Sequence, residues 1–253
     1  MLDVFITGSQ NDTGKTIVTA GLAATMQSLG YSTGVYAPVQ KGGLAKDGHI
    51  EAPDLAYIKR ADKNVKTFYS YMFASNELPL IAAEKRNVSI NPELIMENYL
   101  GVKEKFDCFL VNGTNGIATP IAPNFLEIDL IKLLNLPVLF VISPYTSTIN
   151  DILIMINHAV VKNVKLSGVI VTDCPYKTDD ENIKNLPKLI DKYTDTRVVG
   201  VFPQIENIYT LKPEDLISYV LSGVNLENVF KLILSGFCRF VNIGSDSFFR
   251  PFS

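Results

Sequence analysis

The chain has 253 residues, 47% hydrophobic and 19% charged, with a formal charge of −3 from 23 basic and 26 acidic side chains. That apolar content excludes intrinsic disorder, and the near balance of charge argues against a long electrostatic footprint on nucleic acid. The length corresponds to one large domain or two small ones, able to bury a core without a metal or disulfides.

The N-terminus, MLDVFITGS, has an acidic third residue and lacks the basic start and long apolar core of a signal peptide. It runs into a β-branched segment that predicts a strand over 4–7. Helical spacing of apolar residues follows over 16–29, then a second strand over 33–39. Further on, the pattern predicts a helix over 92–106, strands over 108–112 and 138–143, and a helix over 149–161. A strand over 169–172, a helix over 182–193 and a strand over 198–202 complete the alternation. Strands alternating with helices of this length imply βαβ units: a mainly parallel sheet with helices on both faces, an α/β three-layer architecture. The near-continuous apolar runs LPVLFVIS and SGVIVT suit strands buried on both sides.

Past Pro203 the alternation fades. Helices are expected over 215–224 and 226–237, and the tail NIGSDSFFRPFS is read as packing against the domain or a partner. The organisation expected is a single domain over 1–253 with a helical C-terminal extension after about residue 205. Cys108, Cys174 and Cys238 are odd in number and show no metal-ligand spacing, so they are read as packed thiols of a reduced cytoplasmic protein. No run approaches the apolar length of a membrane span.

The strongest local signal is Gly8-Ser9-Gln10-Asn11-Asp12-Thr13-Gly14-Lys15-Thr16, between the first strand and the first helix. A glycine-rich loop in that place turns backbone N–H groups inward, and the helix N-terminus adds partial positive charge. The loop places Asn11, Asp12, Thr13, Gly14, Lys15 and Thr16 around nucleotide phosphates. Lys15 reaches the β- and γ-phosphates, and the Thr16 hydroxyl is a Mg²⁺ ligand. No GxGxxG follows a strand, which argues against a dinucleotide site. His49 is read as a solvated loop residue and His158 as a helix-surface or packed residue. Two histidines so placed support neither Ser/His/Asp catalysis nor zinc. Phe68-Tyr69-Ser70-Tyr71 is read as packing.

The loop has the longer spacing Gly-x5-Gly-Lys-Thr, and other segments follow it in order: Tyr36-Ala37-Pro38-Val39-Gln40-Lys41-Gly42, Pro53-Asp54-Leu55-Ala56 and Leu78-Pro79-Leu80-Ile81-Ala82-Ala83. After them come Val111-Asn112-Gly113-Thr114-Asn115-Gly116, Thr119-Pro120-Ile121, Thr148-Ile149-Asn150 and Val199-Gly200-Val201-Phe202-Pro203. In this combination, over about residues 1 to 205, the chain resembles the dethiobiotin synthetase family. The resemblance implies a P-loop fold and an ATP-dependent cyclo-ligase of biotin biosynthesis. In that reaction diaminopelargonic acid captures CO₂ as a carbamate, the carbamate attacks the γ-phosphate of ATP, and the second amine closes a cyclic urea.

The resemblance further implies Mg²⁺ on Thr16, Asp54 and Asn112, and nucleotide contacts from the loop, Thr172 and Pro203. It also implies substrate contacts from Asp12, Lys41, Pro79, Asn115 and Asn150, and a homodimer in which the 145–150 region reaches toward the neighbouring subunit. On local grounds alone Asp54 reads first as a helix N-cap, and Asp12 is equally a loop-stabilising residue. Three positions depart from the family pattern. Ala37 stands where the family carries a phosphate-neutralising lysine, with Lys41 either its substitute or a solvated loop residue. Asn112 stands in place of a metal-binding glutamate, and Thr172, beside Asp173, in place of an adenine-reading asparagine. Tyr145 and Ser147 also differ from the family's usual residues. These departures leave open a nucleotide-binding relative that has lost ring closure. A partition-type ATPase is disfavoured, because Ser9 and Gln10 occupy the region where such proteins carry an extra lysine.

Overall fold

The structure, a computed structural model, describes residues 2–46, 49–175, 177–205 and 207–231, with backbone alone for 45, 46 and 49. The first half contains β1 (Leu2–Gly8), α1 (Lys15–Ser28), β2 (Thr33–Gln40), a hairpin of β3 (Leu44–Lys46) and β4 (His49–Glu51), α2 (Pro53–Ala61) and β5 (Lys66–Met72). Next come α3 (Pro79–Glu84), α4 (Pro92–Lys103), β6 (Cys108–Asn112), the short pair β7 (Pro120–Ala122) and β8 (Phe125–Leu126), and α5 (Glu127–Leu134). The remainder is β9 (Val138–Ile142), α6 (Ile149–Val161), β10 (Leu166–Cys174), α7 (Glu181–Tyr193), β11 (Val198–Pro203), α8 (Pro213–Gly223) and α9 (Leu226–Phe230).

Seven strands form one sheet in the order β11-β10-β9-β1-β6-β2-β5, and every pairing in it is parallel. The chain runs outward from β1 through β2 and β5, returns to β6 beside β1, then crosses to β9 on the other flank. Connections therefore leave in opposite directions near the carboxyl ends of β1 and β6, the crevice where open α/β sheets take ligands.

Strand alternation assigns side chains to the two faces. Val4 and Ile6 join a core with α1, α2, α8 and α9, while Phe5 joins the opposite core with α4, α5, α6 and α7. In β6, Leu110 faces the first core and Val111 the second. The same period carries Asn112 toward α1 and Thr7 toward α5. Helix α1 is buried over nearly its whole length because the sheet, α2 and α8 enclose it. Gly21 permits that approach, since a Cβ there would lie 2.9 Å from the Val220 side chain.

The expected parallel sheet and three-layer arrangement are borne out. Several elements escaped the periodicity, among them α3, α5 and the short β7–β8 pair. KTFYSYM forms edge strand β5, half-exposed throughout, so its apolar residues do not form a continuous run. The aromatic reading there holds for Phe68, whose ring packs against Phe106 and Phe109 at 5.7 and 6.2 Å, whereas Tyr69 is exposed. The polar loop before Asp54 contains the β3–β4 hairpin. Past Pro203, α8 lies on α1 and α9 contacts β10. The helix predicted over 226–237 stops at Phe230, where Lys231 caps it in the left-handed conformation (φ 51°), and both the tail and Cys238 lie outside the described residues. Cys108 and Cys174 are buried, and burial pushes the Cys174 thiol up to about 12. Among the described residues no helix is long and apolar enough to cross a membrane.

Candidate nucleotide and substrate site

The loop from Gly8 turns back at Asp12 and Gly14, both with positive φ (55° and 81°), and Gly14 caps α1. A Cβ on Gly14 would stand 3.0 Å from the Thr172 methyl carbon, so glycine serves here for both conformation and space. The Lys15 ammonium donates to Gln10 O at 2.9 Å and approaches Thr13 Oγ1 at 3.5 Å. Burial lowers its pKa, opposed by the charges of Glu127 and Asp54. The loop's own oxygens thus hold the cation in the position that phosphates claim in P-loop proteins.

Thr16 Oγ1 donates to Asp54 Oδ1 at 2.8 Å, and Gln40 Nε2 donates to Asp54 Oδ2 at 3.1 Å. The capping alternative for Asp54 is overturned: the N-cap of α2 is Ala52, with no side-chain cap, and Pro53 takes the first helical position. Asp54 instead joins α2 to α1 and β2 through both carboxylate oxygens. Asn112 lies across α1, where its Oδ1 accepts from Thr19 Oγ1 at 3.2 Å. The donor set available to a cation is one carboxylate, one hydroxyl and one amide oxygen. These hard oxygens fit Mg²⁺, which takes one or two carboxylates and completes its shell with water and substrate phosphate. Among the described residues no cluster of three His, Cys, Asp or Glu side chains could hold a metal ion.

Above these groups lies a cavity of about 570 Å³. Asn11, Asp12, Thr13, Gly14, Lys15, Thr16, Lys41, Asp54, Asn112, Asn115, Thr172 and Pro203 all line it, so the structure brings together most of the predicted site. Ala37 lines it too and is buried. Lys41 Nζ donates to Asn115 Oδ1 at 2.6 Å and lies 3.5 Å from Asn76 O. It is therefore half-buried and held, which replaces the solvated alternative. Burial lowers its pKa, and Asp54 is the leading charge opposing that shift.

Thr172 has one hydroxyl hydrogen, and Thr13 O and Ile142 O lie 2.8 and 3.0 Å from its oxygen. From there it braces the loop, and Asp173 beside it lines the same wall of the cavity. An irregularity at the end of β10, with φ of 54° at Asp173, turns the residue out of the ladder. Opposite it, the segment after Pro203 supplies Ile205, Ile208 and Tyr209. Tyr57 and Tyr209 meet edge to face at 6.1 Å, and Tyr57 donates to Ile208 O at 3.1 Å.

A second cavity of about 650 Å³ adjoins the first and shares Asn11 and Asn115 with it. Its walls include Leu78, Ile117, Ala118, Ile154 and Met155, with Ser9, Asp151 and His158 as polar neighbours. The Nε2 atom of His158 is buried there with no hydrogen-bond partner among the described residues. The Ser9 and Ser147 hydroxyls are hydrogen-bonded, joining the P-loop to the turn before α6. Two predicted substrate residues are not brought in: Pro79 is buried at the start of α3, Asn150 is exposed on α6, and neither lines these two cavities.

The motif reading also missed Gln40 and Glu127. Gln40 stands inside a quoted segment but carries no charge to mark it. Glu127 opens α5 and is fully buried, with the Thr7 hydroxyl, the Thr114 N–H and the Thr114 hydroxyl donating to its carboxylate. Its only sequence trace is one acidic residue at the head of an amphipathic helix, a pattern shared with surface residues.

A strand-loop-helix phosphate cradle at the carboxyl edge of a parallel sheet defines a P-loop ATPase-type protein, and the chain belongs to the AAA domain family, which matches residues 3–210. More particularly, it is similar to dethiobiotin synthetases, as the motif order implies. The ATP-dependent dethiobiotin synthetase BioD of Bacillus subtilis subsp. natto is 26% identical over 229 residues, covering 89% of this chain and 96% of that protein. The protein of the same name from Bacillus cereus (strain B4264) is 27% identical over 210 residues, covering 83% and 86%. The fold is also that of the cell division ATPase MinD of Pyrococcus furiosus, with a TM-score of 0.55, 16% identity, and coverage of 91% and 98%.

Proposed function

We propose that this chain is an ATP- and Mg²⁺-dependent dethiobiotin synthetase acting in biotin biosynthesis as a single P-loop domain. The observation that carries the reading is the junction of the two cavities at Asn11 and Asn115, with Lys41 held on Asn115. A polar, cation-bearing cavity suits a nucleoside triphosphate, and a largely apolar one beside it suits a diamine on an aliphatic chain. The BioD names of the relatives supply the substrate class.

The chemistry follows from bringing two anions together. One amine of the diamine adds to CO₂ and loses a proton, giving a carbamate. A carbamate oxygen attacks the γ-phosphorus in line, and the bond to the ADP oxygen breaks. The second amine then attacks the carbonyl carbon of the mixed anhydride, closes the cyclic urea and expels phosphate. Lys15, leaving Gln10 O, meets the β- and γ-phosphates, while the inward N–H groups of residues 11–16 hold their oxygens. Lys41, at the junction, neutralises charge between carbamate and phosphate, the task that Ala37 cannot perform. Asp12 lies on the same wall and accepts from an amine. Thr16, Asp54 and Asn112 would hold Mg²⁺, which when bound neutralises phosphate charge. Localisation in the cytoplasm and a homodimer closing the second cavity belong to this proposal; exposed Tyr145, Ile154 and Val161 support the dimer.

The test is phosphate release from Mg-ATP with and without diaminopelargonic acid and bicarbonate, with Lys15→Ala as control. Diamine-dependent release that vanishes in the control is expected. Tight ATP binding without diamine-dependent release would replace the proposal with a relative that has lost ring closure.

A further inference from the structure

Glu127 is a fully buried carboxylate that the ring-closure chemistry does not use. Among the described residues it forms no direct ion pair; three short hydrogen bonds hold it, with Lys15 acting on it only at a distance. Thr7 Oγ1 donates to Oε1, while Thr114 N and Thr114 Oγ1 donate to Oε2 at 2.6 and 2.5 Å. Burying a carboxylate without a cation is costly, and a neutral side chain of the same shape would pack there more cheaply. Its place gives a reason for the cost.

Thr7 stands at the carboxyl end of β1, one residue before Gly8 opens the P-loop. Thr114 stands one residue before Asn115, which holds Lys41. The loop over 113–119 is fastened to Glu127 at both ends: its carboxylate takes Thr114, and its own N–H donates to Thr119 O at 2.9 Å. Just before Thr114, Gly113 N donates to Ile6 O at 2.8 Å, and a Cβ on Gly113 would lie 3.0 Å from Glu127 Oε1. The loop thus fits against β1 at a spacing that the carboxylate defines. It lines both cavities. The charge of Glu127 also opposes the burial-driven loss of a proton from Lys15 and Lys41.

We propose that Glu127 is a positioning residue: by clamping Thr114 to Thr7 it fixes the 113–119 loop so that Asn115 holds the Lys41 ammonium at the junction of the two cavities. The catalytic consequence rests on the synthetase reading; the positional claim does not.

Two experiments on the full chain separate them. In single-turnover assays, Glu127→Gln is expected to slow diamine-dependent phosphate release by about 10–100-fold, the scale of a displacement of about 1 Å, with KM for Mg-ATP within about threefold of wild type. Added to Lys41→Ala, the same change is expected to cost less than about twofold, because both act through one cation. Thr114→Val, which removes one of the three bonds, is expected to give a smaller loss with the same dependence on Lys41. Equal losses in both backgrounds would mark a general structural role and overturn the proposal. The second experiment is a pair of crystal structures, wild type and Glu127→Gln. Separation of Lys41 Nζ from Asn115 Oδ1 in the variant is expected, and an unchanged contact overturns the proposal even if the wild type has no diamine-dependent turnover.

Discussion

The Asp54→Asn substitution separates a metal ligand from a structural acid. In the structure Asp54 accepts from Thr16 Oγ1 at 2.8 Å and from Gln40 Nε2 at 3.1 Å, and it caps nothing. Asparagine keeps the shape and one acceptor oxygen. Its NH2 group then faces one of the two donors, so the stability lost is one hydrogen bond, about 0.5–1.5 kcal/mol, with about 0.3–1 kcal/mol for the acid at the first turn of α2. At about 2–4 °C per kcal/mol for a chain of this size, the melting temperature without ligand falls by about 2–10 °C. The effect on Mg-ATP is separate and is read from the ligand-induced shift, because Asp54 is, among the described residues, the carboxylate bonded to Thr16. Outer-shell partners of a metal already account for about 10–100-fold in affinity, so loss of this charge is worth at least about 100-fold. With Mg-ATP at about 100 times Kd, the wild type gains about 2.7 kcal/mol, and the variant at the same concentration about 0.4 kcal/mol. In a thermal melt these become rises of about 5–11 °C and about 1–2 °C. With ATP and a chelator in place of Mg-ATP, the two proteins should respond alike. Equal rises with Mg-ATP would refute the assignment of Asp54 to the metal.

Three other outcomes follow from the geometry. Ala37 lines the nucleotide cavity, so Ala37→Lys should restore diamine-dependent turnover in a Lys41→Ala background and add little to wild type; failure to rescue would separate the two positions functionally. Asp173 offers only acceptors, so it favours bases that present an amino group. Asp173→Asn should narrow the preference for ATP over UTP by about 10–150-fold in a competition assay, one charge-assisted hydrogen bond being worth about 1.5–3 kcal/mol. Burial, the leading influence, raises the Glu127 carboxyl above its ordinary range. A raised folded-state value means its favourable contribution is complete below the ordinary carboxylate range and is lost as pH rises through the folded value. Glu127→Gln should therefore gain stability relative to wild type as pH rises above the ordinary carboxylate range in denaturant titrations, and an opposite slope would show that the carboxylate is net stabilising when charged.

Much of the scaffold was legible in the chain. Strands buried on both faces need unbroken apolar runs, so β6 and β9 announced themselves, and the α6 spacing matched its helix residue for residue. The phosphate loop was equally plain, because Gly14 and Lys15 act within a few residues of each other. Edge strand β5, half-exposed and aromatic, lacked that run, and Pro79 and Asn150 of the aligned motifs line neither of the two cavities of the single chain.

What the sequence determined by itself is local: the parallel α/β alternation, the anion cradle and the order of motifs that mark the family. What tertiary structure decided is which distant side chains converge. Asp54 became a partner of Thr16 rather than a cap because α2 docks beside α1. Lys41 took up a held position because the 113–116 loop presents Asn115 to it. Glu127, with no motif around it, became the anchor of that loop because α5 begins behind β1. Contacts across separations of 38, 74 and 120 residues leave no periodic trace, since their partners are chosen by packing in space and not by spacing along the chain.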